Sequence, residues 1–335
     1  MVRAFSRLLT FALLVIALAI GAAAWWLHNP MGLNLPADSQ VLELEIEPGM
    51  HAAQVAEAVV ASGADVNVEL LQLWFRLSGQ ARQIKAGSYE IVPGTTPRSL
   101  ISMVVRGDQT LKSVTLVEGW SFTQVRAALQ KAELLAPDSI GLKPEMIMQK
   151  LGKPGMHPEG RFFPDTYSYA KGSSDLAVLK RAAKAMDKRL DAAWALRSPD
   201  TPLKTRDEAL ILASIIEKET GKPTDRPQIG GVFTNRLRID MRLQTDPTVI
   251  YGLGDAFDGN LRKRDLLADT PYNTYTRGGL PPTPIAMPGK AALLAAVQPA
   301  PTKALYFVAR GDGSSHFSAT LDEHNRAVNK YIRGQ

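Results

Sequence analysis

Residues 206–220, ending in Ala213-Ser214-Ile215-Ile216-Glu217-Lys218-Glu219-Thr220, read as an apolar helix that finishes in acid. Gly221 and Pro223 stop it, the first as a terminating residue and the second because its ring cannot continue a helix. Outward from this helix the pattern stays mixed. Residues 175–194 have helical spacing, with Asp175 in the N-cap region and Lys180, Arg181, Lys184, Lys188 and Arg189 as a solvated face. Shorter helices are expected over 230–238, 261–267 and 288–297, the last with Pro288 near its start, and a terminal helix over 321–331. Residues 304–309 read as a buried strand, 311–313 as a tight turn and 316–318 as the return strand. The expected class is therefore α+β, with residues 151–335 forming the larger domain.

Upstream, one unit recurs. Residues 41–47 alternate strictly, as a half-buried strand does; Pro48-Gly49 turns the chain, and a helix comes next through Val55, Val59 and Val60. The same order returns at 89–94 with Pro93-Gly94, and at 114–119 with Glu118-Gly119. In each copy the glycine is expected at positive φ, where it lets the strand fold into the helix. The spacings of 45 and 25 residues are unequal, which excludes a solenoid. Residues 41–150 look like a small α+β module with its connecting segment, similar to LysM modules that bind glycan. No aromatic stripe marks a sugar platform on it. Residues 150–158, rich in Gly, Pro and Lys, read as a hinge.

The N-terminus sets the topology. Residues 8–27 carry no charge over a length sufficient to cross a bilayer. Arg3 and Arg7 precede this run and place residues 1–7 in the cytoplasm, while Trp25 and Trp26 stand where an interfacial belt would lie. A cleaved signal peptide is the alternative, since Ala22-x-Ala24 suits a signal peptidase, but the apolar run exceeds the ~7–15 residues of a usual h-region. Residues 28–40 read as a linker. Beyond the anchor, 37 basic residues face 33 acidic ones without a dense Lys/Arg block, which argues against nucleic acid as a partner. The absence of cysteine removes disulfides, thiolate metal sites and a Cys nucleophile. The five histidines form no His-Glu-x-x-His pair, and there is no Gly-x-Ser-x-Gly elbow or phosphate loop, so no metal or cofactor is expected.

The chemistry concentrates after residue 213. Glu217 shares a helix face with Leu210, Ala213 and Ser214, a setting that raises a carboxyl pKa and suits a general acid. Glu219 points to another side, so the two are not a stacked pair. A salt bridge to Lys218, Arg236 or Arg242 would serve structure instead. Glu159 and Asp165 are the other acids in a suggestive context. Asn235, Gln244, Thr245, Asn273 and Thr274 can hydrogen-bond sugar hydroxyls or acetamido groups. Asp246 precedes Pro247 and is placed to cap the segment after it. Phe163, Tyr272 and Tyr275 can stack on sugar rings or fill a core.

Together, Ala213 to Thr220, Asn235-Arg236-Leu237 with Met241 to Gly252, and Tyr272 to Pro282 resemble the MltG (YceG-like) endolytic murein transglycosylases. The resemblance covers the anchor, the LysM-like module and nearly all of residues 158–335. It implies a single-pass inner-membrane protein with a periplasmic catalytic domain. It also implies cleavage of the β-1,4 bond between N-acetylmuramic acid and N-acetylglucosamine in nascent peptidoglycan strands, leaving a 1,6-anhydro end and terminating strand elongation. It places the catalytic glutamate on Glu217. Association with cell-wall synthases is implied by where the family acts; no residue here carries it.

Overall fold

The structure, a computed structural model, describes residues 2–35, 41–109 and 111–334, with side chains from residue 10 onward. Parts of the expected cytoplasmic segment (1–7) and linker (28–40) lie outside the described residues. The chain forms two compact units, residues 1–112 with 169–172, and residues 113–168 with 173–335.

The first unit begins with α1 (Val2–His28) and continues through β1 (Gly32–Leu33), β2 (Leu42–Ile46), α2 (Ala52–Ala61), β3 (Ala64–Asp65), α3 (Val68–Leu77), β4 (Gly87–Ile91) and α4 (Pro97–Arg106). Thr10–His28 of α1 is long and apolar enough to cross a membrane and is compatible with a single-pass anchor. β2 and β4 pair antiparallel with Leu44 opposite Tyr89. The alternation of β2 sends Leu42, Leu44 and Ile46 into the core and Glu43 and Glu45 to solvent. Val55, Val59, Leu71, Phe75, Leu100 and Val104 complete that core from α2, α3 and α4.

β5 (Leu111–Thr115) pairs with β6 (Thr166–Ala170). Between them lie α5 (Phe122–Lys131) and α6 (Pro144–Lys150). The three recurring turns take the expected form: Gly49, Gly94 and Gly119 sit at φ +92, +96 and +77°. Each helix after such a turn opens on a capping box, headed by His51, Thr96 or Ser121. The third copy belongs to the second unit, so the division falls inside the 41–150 segment. The reason is local. Phe122 stacks on Phe162 at 5.3 Å between centroids, and the Gly119 amide donates to the Met287 carbonyl at 2.8 Å. α6 ends on Lys150, the first residue of the segment expected as a hinge, and residues 151–158 are outside helix and strand.

The second unit continues with α7 (Asp175–Ala195), α8 (Arg206–Glu219), α9 (Arg226–Arg238), α10 (Asp246–Leu253), α11 (Lys263–Leu267), α12 (Lys290–Val297), β7 (Tyr306–Ala309), β8 (Ser315–Ser318) and α13 (Leu321–Tyr331). Ser174, not Asp175, caps α7. Asp175 is buried and accepts from the Ser139 backbone amide and hydroxyl. α8 is the hub: Ala209, Leu210, Leu212, Ala213, Ile215 and Ile216 are all buried, on every side of the helix. α7, α9, α10 and α12 pack around it. β7 and β8 make the expected hairpin, Phe307 opposite Phe317, but β7 is half-buried and ends exposed at Ala309 rather than lying buried as expected.

α9 approaches α12 closely because residue 230 is a glycine. A Cβ on Gly230 would stand 2.3 Å from the Ala295 carbonyl oxygen. On a free helix Gly→Ala gains about 1 kcal/mol. Here Gly230→Ala is expected instead to destabilise by ~1–3 kcal/mol through overpacking. Gly221→Ala, with nothing within 4 Å, should leave the midpoint unchanged. Urea unfolding monitored by tryptophan fluorescence checks the contrast.

Candidate functional site

The last turn of α8 presents two glutamates to two different clefts. Glu217 is nearly enclosed. Its Oε1 accepts from the Arg226 guanidinium at 2.8 Å and its Oε2 from the Gly289 amide at 2.8 Å. Gly289 is the N-cap of α12, where a carboxylate is favoured by the helix dipole. Burial pushes the Glu217 carboxyl above its ordinary value, while Gly289 and Arg226 pull it back. The adjoining cleft, of about 420 Å³, is lined by Glu118, Trp120, Gln124, Lys218 and Arg226 among others.

Glu219 faces the other way. Thr245 Oγ1 donates a hydrogen bond to its Oε1. Burial pushes its carboxyl up to about 7, reinforced by Asp246 and opposed by Thr245 and Arg236. It borders a cleft also of about 420 Å³, within the roughly 300–1,000 Å³ of ordinary ligand sites. Gln244, Thr245, Asp246 and Tyr275 line this cleft, together with Arg236, Tyr306, Phe307 and His324. Tyr275 donates to Asp246 Oδ1 at 2.5 Å. The Tyr306 and His324 rings stack at 5.2 Å. Burial and the nearby Arg236 lower the His324 pKa, favouring the neutral imidazole.

Backbone geometry holds this cleft. Gln244 sits at φ +49°, turning the chain so that its amide donates to the Thr274 carbonyl at 3.1 Å. The Thr245 amide donates to Thr274 Oγ1 at 3.0 Å, and Thr248 and Thr274 hydroxyls meet at 2.9 Å. Arg236 donates to the Leu305 and Leu243 carbonyls at 2.7 and 2.6 Å, bracing the opposite wall.

Of the residues expected to bind substrate, Gln244, Thr245, Asp246 and Tyr275 thus come together around Glu219. The remainder are occupied by the fold. Glu159 is 3% exposed; it accepts from the Phe122 amide at 3.0 Å and from Tyr251 Oη at 3.2 Å, and burial pushes it to about 7. Phe163 is core, under the Arg189 guanidinium. Asn235 donates to the Thr302 and Ala304 carbonyls. Asn273 donates to the Asp265, Leu266 and Ala268 carbonyls, closing the end of α11. Tyr272 bonds Thr283 and packs edge-on against Tyr251. Asp165 is an exposed turn residue bonding the Thr166 amide. Tyr306, Phe307 and His324 were not legible as cleft residues, since strand alternation and helix spacing assign them equally to a core. Among the described residues no cluster of His, Cys, Asp and Glu could hold a metal ion.

The buried acids give a pH signature. A carboxyl with a folded-state pKa near 7 binds protons that the unfolded chain has released. Stability therefore falls as pH rises from about 4.5 to about 7. Glu219→Gln is expected to flatten that slope and to be more stable than the parent at pH 8. Chemical denaturation at a series of pH values checks this; an unaltered slope would remove Glu219 from the titrating groups.

Known proteins agree on the family. The YceG-like family model matches residues 44–330. The chain is 32% identical over 316 residues to an endolytic murein transglycosylase of Bacillus subtilis, covering 87% of this chain and 85% of that one. It is 27% identical over 286 residues to an endolytic murein transglycosylase of Streptococcus pneumoniae serotype 2, covering 75% of this chain and 51% of that protein. A crystal structure of a yceG-like protein from Listeria monocytogenes superposes with a TM-score of 0.54 at 27% identity, covering 86% of this chain and 99% of that one.

Proposed function

Because the chain belongs to the YceG-like family, we propose that it is an endolytic murein transglycosylase: it cleaves the β-1,4 bond between N-acetylmuramic acid and N-acetylglucosamine within nascent peptidoglycan strands, with Glu219 as its acid and base. The observation that carries the choice of residue is the Glu219 cleft, where a carboxyl titrating near 7 stands beside Gln244, Thr245, Asp246 and Tyr275. Glu217, on which the sequence expectation rested, is the second reading. It borders a cleft too, but both its oxygens are engaged by groups that favour the charged form, Arg226 and the amide at the start of α12.

One carboxyl suffices for the reaction. Protonated Glu219 donates to the glycosidic oxygen as the C1–O bond breaks. The positive charge at C1 is held as an oxocarbenium-like species or by the substrate's own acetamido oxygen. Ionised Glu219 then takes the proton of the muramic acid 6-hydroxyl while that oxygen bonds C1. The products are a 1,6-anhydro end and a free 4-hydroxyl, with the enzyme's proton restored and no water consumed. Thr245 fixes the carboxyl and stabilises its ionised form, and Arg236 supplies nearby positive charge. Tyr275, Tyr306 and His324 offer rings and polar edges to sugars.

Further elements of the reading rest on sequence and family. The antiparallel pair β2–β4, which encloses α2, the two-residue β3 and α3 in sequence, supports the LysM-like reading of the first unit and, with it, glycan contact. Arg3 and Arg7 before the apolar run support an inner-membrane anchor with a periplasmic catalytic domain. Strand termination, and a place beside cell-wall synthases, would accompany that location.

Product analysis tests the assignment. Uncrosslinked glycan strands incubated with the full chain should yield anhydro-ended fragments by mass spectrometry. Glu219→Gln should lower the rate by ~10²–10⁴, the usual share of a general acid-base group. Glu217→Gln should retain most turnover while losing stability. The reverse order would return the role to Glu217. Reducing-ended products would indicate hydrolysis, with Asp246 as second carboxylate. The parent rate should fall above pH about 7, as the acid deprotonates.

A further inference from the structure

α3 is apolar on two of its sides, with Glu69, Gln72 and Arg76 on the third. Leu71 and Phe75 are fully buried in the core of the first unit. Leu70, Leu73, Trp74 and Leu77 recur at i, i+3, i+4 and i+7 on the other side, which is the spacing of a helix face made to be covered. Among them Leu70, Leu73 and Leu77 are 47, 51 and 73% exposed. Scattered single leucines on a surface need no explanation, but a continuous stripe does.

The stripe lies beside the end of α1. A groove of about 540 Å³ is lined on one side by Ala19, Ala22, Trp25 and neighbouring residues of α1 and on the other by Leu70, Leu73, Trp74 and Leu77. No charged residue lines it. α1 is fastened in this position: Trp26 packs on the core, His28 Nε2 meets the Arg98 guanidinium at 3.0 Å, and the Met31 amide donates to the Thr95 carbonyl at 2.9 Å.

These facts bear on depth. At 1.5 Å per residue, Thr10–His28 spans roughly 28 Å, close to the ~30 Å of a hydrocarbon core. Ala19 to Leu27 is the last ~12 Å of that span. A helix packed alongside that stretch cannot remain in bulk water when α1 crosses a bilayer. We propose that α3 is an interfacial helix, its Leu70-Leu73-Leu77 face seated in the acyl and headgroup region of the leaflet that α1 leaves, with lipid filling the groove between the two helices. The occupant is phospholipid, because the apolar stripe is continuous with the lipid-facing surface of α1 itself. The proposal rests on the membrane-anchor reading and is independent of the catalytic one.

The absence of cysteine allows single labels. Bimane would be attached to Leu73→Cys, to Phe11→Cys within α1, and to Glu57→Cys on the exposed side of α2. The full chain would be reconstituted in phosphatidylethanolamine/phosphatidylglycerol vesicles carrying spin-labelled acyl chains. The Leu73 probe should be quenched by lipid to within about twofold of the Phe11 probe, as expected for a helix seated ~5–10 Å into the boundary, and the Glu57 probe should not. If Phe11 is quenched while Leu73 responds only to aqueous iodide, α3 stands in water and the proposal falls with the anchor intact. If Leu73 is shielded from both quenchers, a second copy covers the stripe and lipid is excluded. If Phe11 itself escapes the lipid quencher, the anchor reading fails and takes this one with it.

Discussion

Burial of α8 on every side is the constraint that shapes the second unit. A helix with no solvent face along its middle must be wrapped by others, and α7, α9, α10 and α12 do this. It can carry polar side chains only where the wrapping ends. Glu217 and Glu219 sit in that last turn, about 200° apart around the axis, so they open to different surroundings. One is taken up by Arg226 and the start of α12, the other by the Thr245 hydroxyl and a cleft. Two chemically identical residues, two positions apart, thus acquire different surroundings from packing alone.

The cleft around Glu219 depends on a backbone lock rather than on side-chain fit. Gln244 in the left-handed region aims Thr245 at the carboxyl, and Thr274 holds both residues through its carbonyl and hydroxyl. Residues 244–246 and 272–275 are therefore one structure, although nearly thirty residues separate them. Groups fixed this way need little reorganisation when charge develops, which is where polar sites contribute most to rate. The cost appears in stability: a carboxyl desolvated enough to titrate near 7 disfavours the fold at neutral pH.

Local rules explain what could be read from the residues alone. The three strand-glycine-helix turns were legible because each step has its own signal: a short apolar strand pattern, a Pro-Gly or Glu-Gly pair, then helical spacing. The 321–331 helix and the hairpin before it were legible for the same reason. Side-chain destinations were not. Asn235 and Asn273 carry amides that suit a sugar as well as a carbonyl, and the chain's own carbonyls claim them. Phe163 and Tyr272 could stack or pack; the core takes Phe163, and Tyr272 packs against its edge. The direction of Glu217 against Glu219 depends on where α12 and Thr245 arrive, which no helix period contains. α3 keeps a polar face of Glu69, Gln72 and Arg76, but nothing in its period tells which of its apolar positions the core takes and which it leaves open.

The short connection after α1 changes what an anchor means here. A flexible linker would let the first unit sample a wide volume above the bilayer, at an effective concentration set by linker length. Instead the chain beyond α1 is tied at once: Asn29 to the Trp25 carbonyl, Met31 to Thr95, and Asn34 to Gly63 through the β1–β3 pair. With α1 in a bilayer, the first unit would be held at a fixed height and orientation, since Trp26 of α1 packs against its core. A membrane-facing apolar surface on such a unit is under constant contact with lipid, so the leucine stripe of α3 carries little of the solubility cost it would impose on a freely diffusing domain. Fastening and stripe are consistent with each other in a way that neither would be alone.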